Sequence, residues 1–197
     1  MSAMTKIAVL VGSLRKESFS RKVAAAITGL EKNLSFDFVD IGKISYFNED
    51  LEANPPADWT DYRNRIIAAD AVLFVTPEYV RSVPAVLKNA VDVGSRPYGQ
   101  GVLMGKPAAI VSTSLGAIGA FGANHHLRQS LASLDMPTLG QPECYIGNTG
   151  RLFDDDGELV DEGTREFLAT FAKSFKEFVE KMVRPGSELH LLERTIA

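Results

Sequence analysis

The stretch "KIAVLVGSLRKESFSRKVAAAI" (residues 6–27) contains two hydrophobic patterns in succession. It opens on an unbroken apolar run, 6–11, whose β-branched content is typical of a strand buried on both faces. It closes on Val23, Ala24 and Ile27, which repeat at helical spacing. Glycine, cations and serines lie between the two patterns. The stretch therefore predicts a strand, a polar loop and a helix.

The same alternation continues along the chain. Apolar runs at 71–76 and 107–113 again predict buried strands, while 34–41 alternates apolar and polar residues as a strand near a sheet edge would. A fifth candidate strand is 143–147. The segments with apolar stripes of helical period are 23–30, 59–67, 83–91, 127–134 and 167–182.

This order of elements determines the fold class. Crossovers between parallel strands are right-handed and cover both faces, so the pattern predicts an α/β, three-layer doubly wound sandwich. Five strands favour a parallel sheet in the flavodoxin-like order 2-1-3-4-5 over the six-stranded dinucleotide-binding fold. We assign residues 1–183 to this domain and 184–197, where Pro185-Gly186 ends the last helix, to a C-terminal tail.

Composition and charge exclude several classes of function. The chain of 197 residues carries a formal net charge of −4, which argues against a nucleic-acid partner. No apolar stretch approaches the ~20 residues that span a bilayer, so we expect no membrane association. Residues 1–6 show no signal-peptide pattern, and we expect a cytoplasmic protein. The single cysteine, Cys144, excludes an internal disulfide; we expect a buried thiol and no metal site.

The loop after the first strand has the residues of an anion site. Free N–H groups and the positive end of the helix dipole favour an anion there, and Gly12 allows close approach of the backbone. Arg15 adds a forked cation, which suits phosphate oxygens. Helix capping by Ser18 or Ser20 is the simpler alternative. Neither G-x-G-x-x-G nor a P-loop is present, so a terminal phosphate, as on a mononucleotide, fits best. The hydroxyl donors are Ser13, Ser18 and Ser20.

A second loop, "TPEYVRSVPAVLKNAVDVGSRPYGQ" (76–100), follows the third strand. Pro77 and Pro84 stiffen it, and Pro84 also suits the first turn of the next helix. Tyr79 offers a flat aromatic face and Arg81 a neighbouring cation. A rigid loop of this kind, next to a phosphate site, could hold a planar heterocycle.

The two loops together resemble a known family. "GSLRKESFS" (12–20) followed by "PEYVRSVPAVLKNAVD" (77–92) is similar to the NADPH-dependent FMN reductases, flavodoxin-like enzymes that include soluble quinone, azo-dye and chromate reductases. The resemblance runs from about residue 6 to residue 182. Further segments that support it are "RPYGQ" (96–100), "GKPAAIVSTSLGAIGA" (105–120) and "HLRQSLASLDM" (126–136).

The resemblance implies an activity. FMN would be the cofactor and NAD(P)H the co-substrate, with hydride passing through the flavin in ping-pong order and no catalytic side chain. Quinones, azo compounds, chromate, ferric complexes or free flavin would be acceptors, and the assembly a homodimer or homotetramer. The residues implied for the FMN phosphate are Ser13, Arg15, Ser18, Phe19 and Ser20; for the flavin ring Pro77, Glu78, Tyr79, Val80 and Arg81; for the ribityl chain and ring edge Ser112, Ser114 and Gly116; and for the substrate rim Arg81 and Arg96.

The chain departs from the family pattern at several positions. The family usually has Asn where Val80 stands, an aromatic or other residue at Arg81, Gly at Ala85 and Trp at Val93. A backbone contact by the Asn would survive in Val80, whereas a side-chain contact would be lost. Two other functions fit the same fold and cofactor: a flavodoxin-type electron carrier, and an FMN-loaded redox-sensing interaction protein that uses the tail.

Overall fold

The computed structural model describes residues 4–183, so the predicted tail 184–197 lies outside the described residues. The strands are β1 (Thr5–Val11), β2 (Leu34–Val39), β3 (Ala71–Pro77), β4 (Ala108–Thr113) and β5 (Cys144–Ile146). The helices are α1 (Phe19–Leu30), α2 (Ala57–Ile67), α3 (Ala85–Gly94), α4 (Phe121–Ala132) and α5 (Glu162–Val183). Short 3-10 turns lie at Glu49–Leu51 and Thr149–Arg151.

All five strands pair in parallel, in the order β2-β1-β3-β4-β5. In the centre of the sheet, Val9 lies opposite Phe38 on one side and Leu73 on the other. The predicted fold class and strand order are therefore confirmed. Within residues 4–183, no helix combines the length and the apolar character needed to cross a membrane.

The sheet separates two hydrophobic clusters. Successive side chains of a strand point to opposite faces, so β1 contributes Val9 to one cluster and Leu10 to the other. The first cluster includes Phe171 and Phe175 of α5, together with α1. The second includes Trp59 of α2, together with α3 and α4. Burial on both faces explains why these strands are apolar without alternation.

The junction of β1 with the following loop is tightly packed. The Gly12 N–H donates to the Val75 carbonyl at 2.8 Å, which holds the start of the loop against β3. A Cβ atom on Gly12 would lie 3.0 Å from Thr76 Oγ1 and 3.1 Å from Leu87 Cδ2. Glycine therefore lets the loop leave the sheet directly beside β3 and α3.

Candidate functional site

A cavity of about 190 Å³ opens at the carboxyl ends of β1, β3 and β4. Pockets that enclose a whole ligand usually measure about 300–1,000 Å³, so a ligand as large as a mononucleotide would extend beyond it. The lining residues come from the two loops singled out in the sequence and from the end of β4. They are Ser13, Arg15, Ser18, Phe19, Ser20, Pro77, Glu78, Tyr79, Thr113, Ser114, Leu115 and Thr149.

Ser18 caps helix α1. Its Oγ accepts a hydrogen bond from the Arg21 N–H at 3.2 Å, and its side chain is buried. The capping alternative is therefore correct for Ser18. A hydroxyl group that accepts one hydrogen bond still has its own hydrogen to donate, so capping leaves Ser18 available to an anion. The first turn of α1 contains no acidic residue, which leaves the positive end of the helix dipole uncompensated.

Ser20 is oriented by a residue from a distant strand. Its Oγ lies 2.7 Å from Thr113 Oγ1 in a buried hydrogen bond that joins α1 to the end of β4. Thr113 also lines the cavity. The pair holds two hydroxyl groups at the base of the site.

Two further donors lie in the same loop without a partner among residues 4–183. The Ser13 side chain is buried yet makes no hydrogen bond within residues 4–183, and Arg15 forms no ion pair there. Both line the cavity. Hydroxyl groups, a guanidinium and a helix N-terminus that converge in this way fit an anion with several oxygens, such as a phosphate.

The opposite wall is the tight turn 77–82 after β3. Tyr79 and Ser82 exchange two backbone hydrogen bonds, each 3.0 Å long. Val80 and Arg81 between them have φ angles of +50° and +62°. Asn and Gly are favoured at such positions, because a β-branched side chain is crowded by the left-handed backbone. This conformation explains physically why Asn would suit position 80 better than valine.

The side chains of this turn anchor it to α4. Glu78 Oε2 accepts from the Ala123 N–H at 3.0 Å, while its Oε1 lies 3.1 Å from Arg81 Nη1. Ser82 Oγ lies 2.9 Å from His126 Nδ1. Val80 points into solvent with 98% of its surface exposed. The turn is therefore fixed from outside, and its backbone is left to shape the cavity.

The composition of the cavity fits FMN. Polar donors surround its inner end, where a phosphate would lie, and Tyr79 and Leu115 expose 47% and 67% of their surfaces at the outer end. Flat and apolar groups of this kind suit the part of a flavin ring that would lie outside the cavity.

Comparison with known proteins agrees with this geometry. Residues 5–150 match the family model for NADPH-dependent FMN reductases. The chain belongs to that family. FMN is thus the cofactor and NAD(P)H the co-substrate of this flavoenzyme, and the predicted family, cofactor and oxidoreductase activity are confirmed.

Relatives of the flavoenzyme are similar over nearly their full length. A quinone reductase of Pseudomonas putida is 55% identical over 182 residues, which cover 91% of this chain and 97% of the relative. A 2-hydroxy-1,4-benzoquinone reductase of a Burkholderia species is 46% identical and covers 88% and 96% of the two chains. The structure of the NAD(P)H:(acceptor) oxidoreductase FerB from Paracoccus denitrificans superposes with a TM-score of 0.85 at 40% identity, covering 90% and 98%.

Two of the three residues predicted for the ribityl chain and ring edge do not line the cavity. Ser112 is fully buried, donates to the Gly119 carbonyl at 2.7 Å and accepts from Asn124 Nδ2 at 3.2 Å. The carbonyl of Gly116 accepts from Ser114 Oγ at 2.8 Å. Ser114 lines the cavity. Ser112 holds the following loop through Gly119, and Gly116 is exposed in that loop.

The two arginines predicted for the substrate rim differ in their surroundings. Arg81 does not line the cavity. Its ion pair with Glu78 holds it beside the wall, and the Arg81 side chain is 81% exposed. Arg96 pairs with Glu52 at 2.7 Å and with Glu49 at 3.1 Å, and its side chain is only 22% exposed. The structure thus brings Arg81 to the edge of the site and does not bring Arg96 there.

Strand β5 contains two titratable groups with raised pKa values. Burial raises the pKa of the Cys144 thiol, which agrees with the prediction of a buried, unreactive cysteine. Burial and a hydrogen bond to Glu143 raise the pKa of Tyr145 to about 12, so its phenol keeps its proton at neutral pH. His125 Nε2 lies 3.0 Å from this hydroxyl group. No cluster of three or more metal-ligating side chains occurs in the part of the chain that the structure describes.

Proposed function

We propose that this flavoenzyme reduces quinones with NAD(P)H, and that its FMN lies with the phosphate against loop 12–20 and the ring against turn 77–82. The observation that supports this placement best is the pair of donors at the positive end of α1, Ser13 and Arg15, which have no partner in the described part of the chain. The names of the relatives from Pseudomonas and Burkholderia support a quinone as the acceptor.

FMN supplies the redox chemistry, since it accepts a hydride from the nicotinamide and delivers two electrons to the acceptor. The protein residues would bind and orient the FMN. Arg15 and Ser18 would donate to the phosphate oxygens, and Thr113 would hold Ser20 in the orientation that lets it do the same. This division of work explains why no side chain needs to act as a nucleophile.

The acceptor would approach at the exposed outer end of the cavity. Tyr79 and Leu115 present apolar surface there, which suits a planar ring such as a quinone. We infer that donor and acceptor use this space in turn, which predicts ping-pong kinetics. Arg81 would meet an anionic substituent of either substrate. Azo compounds, chromate, ferric complexes and free flavin are further acceptors to be tested.

We also infer a homodimer or homotetramer and a cytoplasmic location. Ile118 and Phe121, which are close to Leu115 in sequence, expose 65% and 47% of their surfaces, and exposed apolar surface is frequent at subunit interfaces. The supply of NAD(P)H supports the location. Light scattering on the purified, FMN-loaded protein measures the subunit number directly, and a mass of one chain, 21.4 kDa, would contradict the assembly.

The test of the function is an anaerobic titration of the yellow protein with NADPH, followed by addition of benzoquinone. We expect the flavin absorbance to bleach with NADPH and to return with the quinone. Protein stripped of FMN serves as the control and should regain both responses on reconstitution. A yellow protein that NADPH cannot bleach would instead indicate an electron carrier.

A further inference from the structure

The wall of the cavity contains a carboxylate that the phosphate site does not require. Glu78 lines the cavity with its side chain only 12% exposed, although the ligand is an anion. A negative charge in such a position must be stabilised by the protein and must act on whatever lies beside it. Its contacts show what stabilises it.

Helix α4 lacks a cap of its own. Its N-cap residue, Ala120, has φ +62° and offers no side-chain hydrogen bond, and the first turn contains no acidic residue. Glu78 supplies the missing acceptor, because its Oε2 receives the Ala123 N–H of that first turn. A Cβ atom on Gly122 would lie 2.8 Å from the same Oε2, so glycine there makes room for the carboxylate.

Three charges therefore meet at this wall. The end of α4 is equivalent to roughly half a positive charge. Arg81 adds a full positive charge at 3.1 Å from Glu78 Oε1, and Glu78 offsets most of the sum. Without its negative charge, the wall would be strongly positive on the side where the flavin ring is proposed to lie.

We propose that Glu78 is a positioning residue that also sets the reduction potential of the bound FMN, by capping α4 and compensating Arg81. This inference rests on the proposed placement of the ring against turn 77–82. Reduction adds negative charge to the flavin, so a compensated wall keeps the potential low and favours delivery of electrons to the acceptor.

The experiment measures the potential of the bound FMN by anaerobic titration against an indicator dye. Glu78→Gln retains an oxygen that can accept from Ala123 but removes the charge, and it should move the potential to a less negative value. Arg81→Gln leaves the cap in place, removes a positive charge and should move it the other way. Glu17→Gln removes the same charge from loop 12–20, where Glu17 pairs with Lys22 and not with a residue of turn 77–82. It should leave the potential unchanged, because its charge does not act at the wall that is proposed to face the ring.

Each outcome of this experiment supports or overturns the inference on Glu78. Opposite shifts in the two turn variants, with none in Glu17→Gln, support the inference. An unchanged potential in Glu78→Gln shows that Glu78 is a structural cap only, and an unchanged potential in Arg81→Gln shows that Glu78 compensates no charge of Arg81 that the flavin senses. If Glu78→Gln binds no FMN, Glu78 is needed for binding itself and the inference is overturned. A wild-type protein without bound FMN would overturn the proposed function instead, since the potential is measured only on the loaded protein.

Discussion

The two walls of the cavity use their side chains in opposite ways. In loop 12–20 the side chains of Ser13 and Arg15 are directed to the cavity and have no protein partner within residues 4–183. In turn 77–82 the side chains of Glu78 and Ser82 are occupied with α4, and Val80 points into solvent. The side chains of the first wall are therefore available to the proposed ligand, whereas those of the second wall hold its backbone in place.

This difference predicts that one wall determines the affinity for FMN and that the other determines the conformation of the cavity. Substitutions in loop 12–20 remove contacts to the ligand, so they should lower FMN affinity while the fold persists. Substitutions in turn 77–82 should alter the stability and the conformation of the wall.

Arg15→Ala should weaken FMN binding by about 10- to 100-fold, because a charge-assisted hydrogen bond contributes about 1.5–3 kcal/mol. Quenching of FMN fluorescence during a titration of the stripped protein measures the affinity. Lys16→Ala is the control, since Lys16 is exposed in the same loop and does not line the cavity. Equal losses in both variants would reduce the role of Arg15 to a general electrostatic one.

Thr113→Val should lower the free energy of unfolding by about 1–3 kcal/mol, because it leaves the buried Ser20 hydroxyl group without its partner. Urea denaturation of the FMN-free protein measures the change. Thr28→Val removes an exposed hydrogen bond from α1 and should cost much less. A Thr113→Val variant as stable as wild type would show that Ser20 finds another partner.

Val80→Asn should stabilise the fold by about 1 kcal/mol, because Asn tolerates the left-handed conformation that valine is forced to adopt. Thermal denaturation of the FMN-free protein is the measurement. Val80→Ala also removes the exposed side chain but keeps most of the backbone cost, so its gain should be smaller. If the two variants gain equally, the gain comes from loss of exposed apolar surface.

His126→Ala should destabilise the fold by less than about 1 kcal/mol, because its bond to Ser82 is exposed and water can replace it. Urea denaturation again provides the measurement. Ser82→Ala removes the other partner and should give a similar value, and the double variant should cost no more than either alone. An additive double variant would mean that the two side chains do not interact.

The fold was predictable because local patterns specify it. Short apolar runs such as 71–76 are typical of strands covered on both faces, and the helical stripes between them leave few alternatives for the topology. Loop 12–20 was also predictable, since its donors directly follow the first strand and therefore face the cavity. These features depend on neighbours in sequence.

The contacts that the sequence did not predict join distant segments. Arg96 meets Glu49 and Glu52 across a loop, and nothing near it in sequence indicates that pairing.

The alternation of side chains along a strand, in contrast, predicts which face of the sheet each residue of β4 occupies. Val111 faces α1, so Thr113 faces α1 as well and Ser112 faces α4, which is where the structure places them. Ser114 follows the end of the strand, where this rule no longer applies.

The hydrogen bond between Ser20 and Thr113 has a consequence for how the enzyme matures. The two residues lie 93 positions apart, so a nascent chain completes the proposed phosphate site only after β4 has joined the sheet. FMN would therefore bind the folded domain and not early folding intermediates. In cells short of riboflavin, a larger share of the protein would be empty. The empty form lacks the extra stability that a ligand confers by binding the native state alone, so proteases would remove it faster.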